Sequence, residues 1–508
     1  MLLADVVATS RVVAATRSRT AKVAALAELL GRLDDPDDVV TVTSYVAGSL
    51  RQRRTGLGWR SLTDLPAPAD EPSLTVAEVH QAFEQISALA GAGSQAARAA
   101  ATSALFSGAT AQEQAWLRGL VTGEVRQGAL DSLVQEALAA AGGVPVAAVR
   151  RAAMMAGSTV DVATAALTGG EQALAAFVLQ VGRPVLPMLA STAPTVGEAM
   201  AKAGGGTVAI DTKLDGVRIQ VHRHGDEVLV VTRSLDDVTS RHPEVVAAAR
   251  ALPCHDVVLD GEVLALGPDG RPRPFQETAS RAASAGGVEL TPAFFDVLHV
   301  DGRDLVDAPT SERLEVLESL VRAEHLVPRL LTDDQAQAEA FAAHVLGLGH
   351  EGVVVKSLTT PYAAGRRGAT WVKVKPVHTL DLVVLAVERG SGRRSQWLSN
   401  IHLGARDGES GELVMLGKTF KGMTDEMLAW QTERFGELQT SDDGYVVTVR
   451  PEQVVEIAFD GVQRSTRYPG GVALRFARVV RYRDDKTPAE ADTIDMVRSF
   501  VGDVTDPG

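Results

Sequence analysis

The sequence predicts a multidomain chain: an all-α N-terminal domain, a mixed-sheet α/β domain in the middle and an all-β C-terminal domain built as a small barrel. Three observations lead there. Up to about residue 180 the chain is Ala-rich, with apolar residues at helical spacing; beyond about 185, short strand-like runs between turn signals take over; and over the last 125 or so residues strands stand almost alone. At 508 residues the chain is about three to four times a typical domain of roughly 100–200 residues, so several cores are expected.

The helical reading is clearest at Leu74-Thr75-Val76-Ala77-Glu78-Val79. Thr75 offers an N-cap, Glu78 follows three residues later, and Val79, Phe83, Ile86 and Ala90 then repeat on one stripe. Similar segments, separated by the Gly-rich points GAGSQ and AAGG, would pack stripe on stripe. At VGRPVLPMLASTAPTVGEAM prolines interrupt the helical period, which sets a boundary near 185 and a first domain over 1–180. The runs TVAID, VRIQVHRHGDEVLVVTRS, DVVLDGEVLAL, TPAFFDVLHV and GVVVKS give the second domain, 185–380. The third, 381–508, carries DLVVLAVERG, GELVMLGKT, YVVTVR, QVVEIAFDGVQ and ALRFARVVRYRDD, with one clear helical interval at MTDEMLAWQTERFG.

Composition excludes several classes. Fifty Lys and Arg against 64 Asp and Glu leave a net charge of −14, which argues against coating nucleic acid with the whole surface while permitting local basic faces. The single Cys254 forms no intramolecular disulfide and no cysteine zinc cluster, so structural zinc is not expected. No run reaches the roughly 18 apolar residues of a membrane helix. Asp5 and Arg11 interrupt the opening segment, which fits an amphipathic helix better than a secretory signal. A cytoplasmic protein with no membrane partner is the expectation.

Chemistry is concentrated at strand ends. Lys213-Leu214-Asp215-Gly216-Val217-Arg218 follows TVAID; a lysine partly removed from water beside arginines can lose its proton and attack phosphorus. Gly216 permits a tight turn, and Arg218 can neutralise phosphate or hold a sugar hydroxyl. Read alone, that segment is more commonly a surface turn. Glu262 follows VVLDG; Glu351 opens EGVVVK and Lys356 ends it, so a regular strand would place those two on opposite faces. Their meeting at one ligand requires a local distortion. After Arg366 and Arg367, the period of two in Trp371-Val372-Lys373-Val374-Lys375 sets Trp371, Lys373 and Lys375 on one face, where two lysines are costly to bury without phosphate or carboxylates. An edge strand guarded by lysines is the plainer alternative.

Together these segments resemble the ATP-dependent DNA ligases of the nucleotidyltransferase superfamily, in the bacterial form with an N-terminal helical DNA-binding domain and a C-terminal oligonucleotide-binding barrel. The resemblance implies Lys213 as the adenylylated lysine, supported by Asp215, and places Arg233 in VVTRS and Glu262 in LDGEV near the nucleotide sugar. Phe295 in AFFDV matches the aromatic that stacks on adenine, with Phe294 the weaker claimant. It implies metal and base handling for Glu351, metal work also for Glu262, a supporting role for Lys356, and phosphate contacts for Lys373 and Lys375, with Arg367 as the arginine upstream of them. Asp211 departs from the pattern: larger ligases often carry Glu there as an adenine contact, and the shorter carboxylate needs a closer backbone to accept the adenine amino proton.

The C-terminal match is Arg475-Phe476-Ala477-Arg478-Val479-Val480-Arg481-Tyr482-Arg483-Asp484-Asp485-Lys486, a net basic segment in an acidic chain. The resemblance implies that Arg475 and Arg478 swing toward the nucleotide and orient pyrophosphate. Trp116-Leu117-Arg118-Gly119-Leu120 and Gly123-Glu124-Val125-Arg126-Gln127-Gly128 look like the family's minor-groove segment, with Arg118 and Arg126 on phosphates and Gly128 allowing close approach. A packed helix turn with exposed arginines explains the same residues. Leu416-Gly417-Lys418-Thr419 imitates the end of a phosphate loop, but Glu412 stands where the motif needs glycine, and the segment reads as a strand. His222-x-His224 reads as alternating strand residues rather than a metal site, and Cys254 as a small packed residue.

The function implied is ATP- and Mg2+-dependent sealing of nicks in duplex DNA, with AMP carried covalently on Lys213 and passed to the 5′-phosphate before the 3′-hydroxyl closes the backbone. It would serve replication, repair or recombination, as a monomer with replication or repair proteins as partners. RNA end joining or capping by the same covalent chemistry is the alternative among enzymes, and an inactive nucleic-acid scaffold the alternative outside them. NAD dependence is disfavoured by the domain order and the missing cysteine cluster.

Overall fold

The computed structural model describes residues 1–52, 54–125, 127, 131–283, 289–364, 367–390 and 394–501. Helices from Leu3–Ala15 to Gly170–Ala175 form the first part around one apolar core that includes Leu3, Leu26, Phe83, Phe106, Leu117 and Leu138. Helix Val76–Ala88 begins where the sequence places it. Thr75 Oγ1 accepts the Glu78 N–H at 3.2 Å while the Glu78 carboxylate accepts the Thr75 N–H at 2.8 Å, so two otherwise orphaned donors are satisfied. Val79, Phe83 and Ile86 are fully buried, whereas Ala90 is exposed, because the chain turns extended at Leu89 before the stripe completes another turn. No helix among the described residues is long and apolar enough to cross a membrane.

Among the described residues the middle of the chain forms ten strands: β1 (Leu189–Thr192), β2 (Val208–Lys213), β3 (Val217–His224), β4 (Glu227–Thr232), β5 (Asp256–Ala265), β6 (Leu290–Val300), β7 (Arg303–Asp304), β8 (Arg329–Thr332), β9 (Gly352–Ser357) and β10 (Arg367–Val374). They build two five-stranded sheets, ordered β1-β10-β9-β2-β8 and β4-β3-β5-β6-β7. Only the β1–β10 pair is parallel, which makes the first sheet mixed as expected. Side-chain alternation decides what each face does. Val208 and Ile210 of β2, Val353 and Val355 of β9 and Val372 of β10 face helices Val196–Lys202 and Gln335–Gly347. In the second sheet Ile219, Val221, Leu259, Phe294 and Val297 join the core that includes Val245 and Leu317 from its covering helices. The opposite faces of the two sheets meet through Met188, Val258, Leu298, Tyr362 and Trp371, with Phe295 and Val354 packed against them.

The last part adds β11 (His378–Arg389), β12 (Leu398–Arg406), β13 (Leu413–Thr419), β14 (Gln439–Asp442), β15 (Val446–Val449), β16 (Val454–Phe459), β17 (Gly461–Arg464), β18 (Val472–Arg475) and β19 (Arg478–Arg483). Strand β11 bends the sheet by pairing β16 through His378–Val383 and β15 through Ala386–Glu388. Among the described residues no ladder joins β13 to β19; their neighbourhood is linked by the Val479 N–H to Lys421 O bond of 2.9 Å. The expected helix is Asp425–Glu437, which buries Leu428 and Phe435, and a short second one, Ile494–Ser499, follows. ALRFARVVRYRDD is divided rather than continuous: Phe476, at φ 56°, breaks it into β18 and β19. Leu416 to Thr419 lie in β13, as the missing glycine implies, and Lys418 pairs with Glu388.

One buried ion pair fixes the second sheet to its helix. Arg313, from helix Thr310–Leu320, donates to Asp296 of β6 at 2.7 and 3.1 Å, and neither side chain reaches solvent. Its third nitrogen donates to Ala308 O at 2.7 Å. Truncating Arg313→Ala leaves the Asp296 carboxylate buried and uncompensated, so urea unfolding should show a loss of roughly 3–5 kcal/mol. A change within about 0.5 kcal/mol, typical of surface substitutions, would show that the pair does not anchor this sheet.

Candidate active site

Lys213 ends β2 and Asp211 lies two residues earlier, both on the face turned from Val208 and Ile210 toward the second sheet. The Lys213 ammonium donates to Glu351 Oε2, and Lys375 Nζ donates to Glu351 Oε1 at 3.0 Å, so one carboxylate serves two cations. Lys375 also donates to Asp460, in the turn between β16 and β17, and Arg478 reaches the other oxygen of Asp460 at 3.1 Å. Arg475, at the end of β18, grips Asp215 at 2.6 and 3.2 Å. An alternating row of charges thus crosses from the central sheets to the C-terminal domain.

Glu351 reaches this row because β9 does not continue regularly through Gly352. Lys356 shares the inward face with Val354, and strict alternation would send Glu351 outward with Val353 and Val355. Gly352 takes φ 143°, and a Cβ there would lie 2.2 Å from Val374 O. That glycine is the distortion required for Glu351 and Lys356 to share one cleft. Gly216 works differently: its φ is ordinary, but a Cβ would fall 2.5 Å from Val263 O, so close approach rather than turn conformation demands glycine.

Deeper in the cleft, Asp211 accepts from Arg329 of β8 at 2.5 and 3.1 Å and from Lys356 at 2.6 Å. Burial opposes the Asp211 charge, but Lys356 and Arg329 overcome it and hold the carboxyl below its ordinary range. Lys356 Nζ also donates to Phe295 O at 3.2 Å and lies 4.7 Å from the Phe295 ring centroid and 4.2 Å from that of Trp371. Phe295 is half-buried and edge-on to Trp371, whereas Phe294 is committed to the opposite core. Arg218 donates to Asp260 at 2.9 and 2.6 Å and to Met188 O at 2.6 Å, while the Tyr362 hydroxyl donates to the same Asp260 at 2.7 Å.

Glu262 stands opposite Arg218 in the β3–β5 register and accepts the Gly216 N–H at 3.3 Å, with no ion pair among the described residues. Burial pushes its carboxyl up to about 7, with Lys213 and Arg218 pulling downward and Glu351 adding repulsion. Lys373 is half-buried on the same strand face as Lys375. Arg233 is exposed in the turn after β4 and is not brought into the charged row. Arg367 begins β10. Arg118 lies on helix Ala111–Thr122, 5.7 Å from the Trp59 ring centroid, while Trp116 beside it is buried, donating to Ser10 Oγ at 3.0 Å. Arg126, Gly128 and Arg366 lie outside the described residues.

Sequence reasoning missed Arg329, Asp260, Tyr362 and Asp460. Asp260 was findable, since it sits two residues before Glu262 and shares its face. Arg329, Tyr362 and Asp460 carry no local signal, because only the tertiary fold brings them to their partners.

The family model for the ATP dependent DNA ligase domain matches residues 187–375, that for the ATP dependent DNA ligase C terminal region matches 394–486, and that for the DNA ligase N terminus matches 62–139. A probable DNA ligase of Nocardioides sp. is 72% identical over 506 residues, 99% of each chain. One from Kineococcus radiotolerans is 66% identical over 499 residues, 98% of this chain and 99% of the relative. The solved structure Pmar-Lig_PreS3 shares the fold at TM-score 0.61 and 17% identity, over 94% of this chain and 99% of its own.

The raised Glu262 carboxyl has a measurable consequence. Because its folded value, about 7, lies above the ordinary 4.5, the fold holds a proton that the unfolded chain releases. Its contribution to stability is complete below that window and lost as pH rises through it. Glu262→Gln should therefore be more stable than the natural chain near about pH 8 and equal to it near about pH 4.5. Parallel stability–pH curves for the two proteins would contradict the assignment.

Proposed function

The chain belongs to the ATP-dependent DNA ligases, enzymes that seal nicked duplex DNA through an adenylyl-lysine, and from that premise we propose how its residues divide the chemistry. The observation that carries the assignment is Lys213 at the head of the charged row, its nitrogen held by a carboxylate that Lys375 also holds. Lys213 loses its ammonium proton to solvent and the amine attacks the α-phosphorus of ATP; the N–P bond forms, the bond to the bridging oxygen breaks, pyrophosphate leaves with its electron pair, and the nitrogen sheds a second proton to become the phosphoramidate N–H. AMP then passes to the 5′-phosphate at the nick, and the adjacent 3′-hydroxyl attacks that phosphate and expels AMP.

Phe295 stacks on adenine, a role supported by its half-exposed ring at the cleft, and Lys356, Arg329 and Asp211 fix the backbone and charges around it. Arg218, locked by Asp260, shapes the sugar side of the cleft with Glu262. Lys373 and Lys375 meet phosphate. Arg475, which holds Asp215 across the domain junction, and Arg478, which holds Asp460 within the C-terminal domain, orient pyrophosphate once its oxygens replace those carboxylates.

Glu262 and Glu351 would hold a magnesium ion, with the ion taking the place of lysine contacts at Glu351. Both are hard oxygen donors, each disfavours the other's charge, and Glu262 has no cation of its own within ion-pair distance among the described residues. The chemistry such an ion would supply is neutralisation of phosphate oxygens and polarisation of the reacting phosphate.

Residues 1–180 act as the DNA-binding domain, 185–380 as the adenylyltransferase and 381–508 as an oligonucleotide-binding barrel whose curved β11 supports that description. Arg118, Arg126 and Gly128 meet the duplex backbone without reading bases.

Incubation with α-labelled ATP and magnesium should leave label on denatured protein, and Lys213→Ala should carry none while losing all sealing of a nicked duplex. Arg475→Ala should slow adenylylation by roughly 10²-fold, the scale for removing one charge-stabilising donor, yet seal a pre-adenylylated nick within a few-fold of the natural rate. Label retained on Lys213→Ala would remove Lys213 from its role; equal losses in both steps would remove Arg475 from pyrophosphate. Affinity for the nicked duplex should fall at least roughly tenfold between 50 and 200 mM salt if several phosphates are neutralised, and a flat response in a filter-binding titration would rule out that footprint.

A further inference from the structure

At the end of β3 remote from Arg218, three metal-ligating side chains converge. The Nδ1 atoms of His224 and His255 each lie 2.7 Å from one oxygen, Asp256 Oδ1. The three ligand atoms lie within 4.8 Å of one another, the only such group of histidine, cysteine and acidic side chains among the described residues. His224 is six residues from Arg218 along β3, about 20 Å at roughly 3.3 Å per residue, so the cluster is separate from the nucleotide cleft.

The backbone beneath the cluster is fixed. Register places His224 opposite Asp256, Gly225 N–H donates to His255 O at 2.9 Å, and Asp301 Oδ1 accepts the N–H groups of both His255 and Asp256 at 2.8 Å. Gly225, at φ 57°, leaves room beside the His255 ring: a Cβ would lie 3.4 Å from His255 Nε2. The two imidazoles stand edge to face, 5.0 Å between centroids at 89°, and each side chain is 65% exposed, so an ion has a path from solvent. The neighbour suggested by the His-x-His spacing does not take part. His222 is buried, its Nε2 2.8 Å from Gln220 Oε1 and its Nδ1 accepting the Gly182 N–H at 3.2 Å. The donor set crosses between strands instead of running along one.

We propose that His224, His255 and Asp256 bind one divalent transition-metal ion of the zinc class, with water completing its coordination. Two imidazoles and one carboxylate suit zinc, whereas magnesium takes oxygen ligands almost alone. Ligand atoms around tetrahedral zinc sit roughly 3.3 Å apart at bonds of about 2.0–2.1 Å. The two His–Asp separations of 2.7 Å therefore open slightly to admit the ion, a change the exposed rings can make by rotation.

The test uses untagged full-length chain stripped of metal by a chelator, then titrated with zinc or cobalt in excess magnesium against a chromophoric competitor. One equivalent of zinc should bind, cobalt should give visible d–d absorption, and His224→Ala/His255→Ala should weaken binding at least tenfold while sealing nicks at the natural rate. Glu262→Gln/Glu351→Gln should keep the equivalent, which separates this site from the catalytic carboxylates. No stoichiometric zinc in the natural chain, unchanged zinc in the double histidine variant, or loss of the equivalent in the double glutamate variant would each overturn the proposal.

Discussion

A half-buried row of cations between two sheets and a third domain stays in place only because carboxylates are interleaved with it. Lys213 and Lys375 share Glu351; Lys375 and Arg478 share Asp460; Arg475 holds Asp215; Arg329 and Lys356 divide Asp211. Charges this close repel by several kcal/mol at an effective dielectric near 20 or so, unless each has a counter-charge. A polyphosphate carries the same sign as these acids and can take their place. The carboxylates thus hold the cleft's cations in place in the way the proposed nucleotide would.

Not all of these pairs are exchangeable in that way. Arg218 with Asp260 and Arg329 with Asp211 are two-pronged and almost closed to solvent, and breaking either leaves a charge uncompensated. They behave as scaffold. The pairs that cross to the C-terminal domain, Arg475 with Asp215 and Lys375 with Asp460, keep more solvent access, so the same salt-bridge chemistry supplies a rigid floor and a more readily exchanged roof. A domain that closes over a substrate and later withdraws needs that asymmetry.

Much of this was legible in the sequence. The strand periods placed Trp371, Lys373 and Lys375 on one face, the capping pattern placed the start of helix Val76–Ala88, and the impossible alternation of Glu351 with Lys356 demanded the irregular backbone found at Gly352. Local rules reach that far because period and turn conformation are properties of consecutive residues. They do not reach Asp460 or Arg329, whose partners are 85 and 118 residues away. Nor did they foresee the break at Phe476, where an aromatic residue takes a backbone conformation that propensity disfavours.

The shorter acid at position 211 shows how such a partner changes the meaning of a motif residue. A carboxylate offers about four lone-pair positions, and Arg329 and Lys356 occupy three: one on Oδ1 and two on Oδ2. One position on Oδ1 remains for the amino group of a base. A glutamate would carry its carboxylate one methylene farther, away from both cations or into them. Under the proposed role, Asp at this position would tie base recognition to Arg329 and Lys356, and through the Phe295 carbonyl that both of them reach, to the ring on which the base would stack.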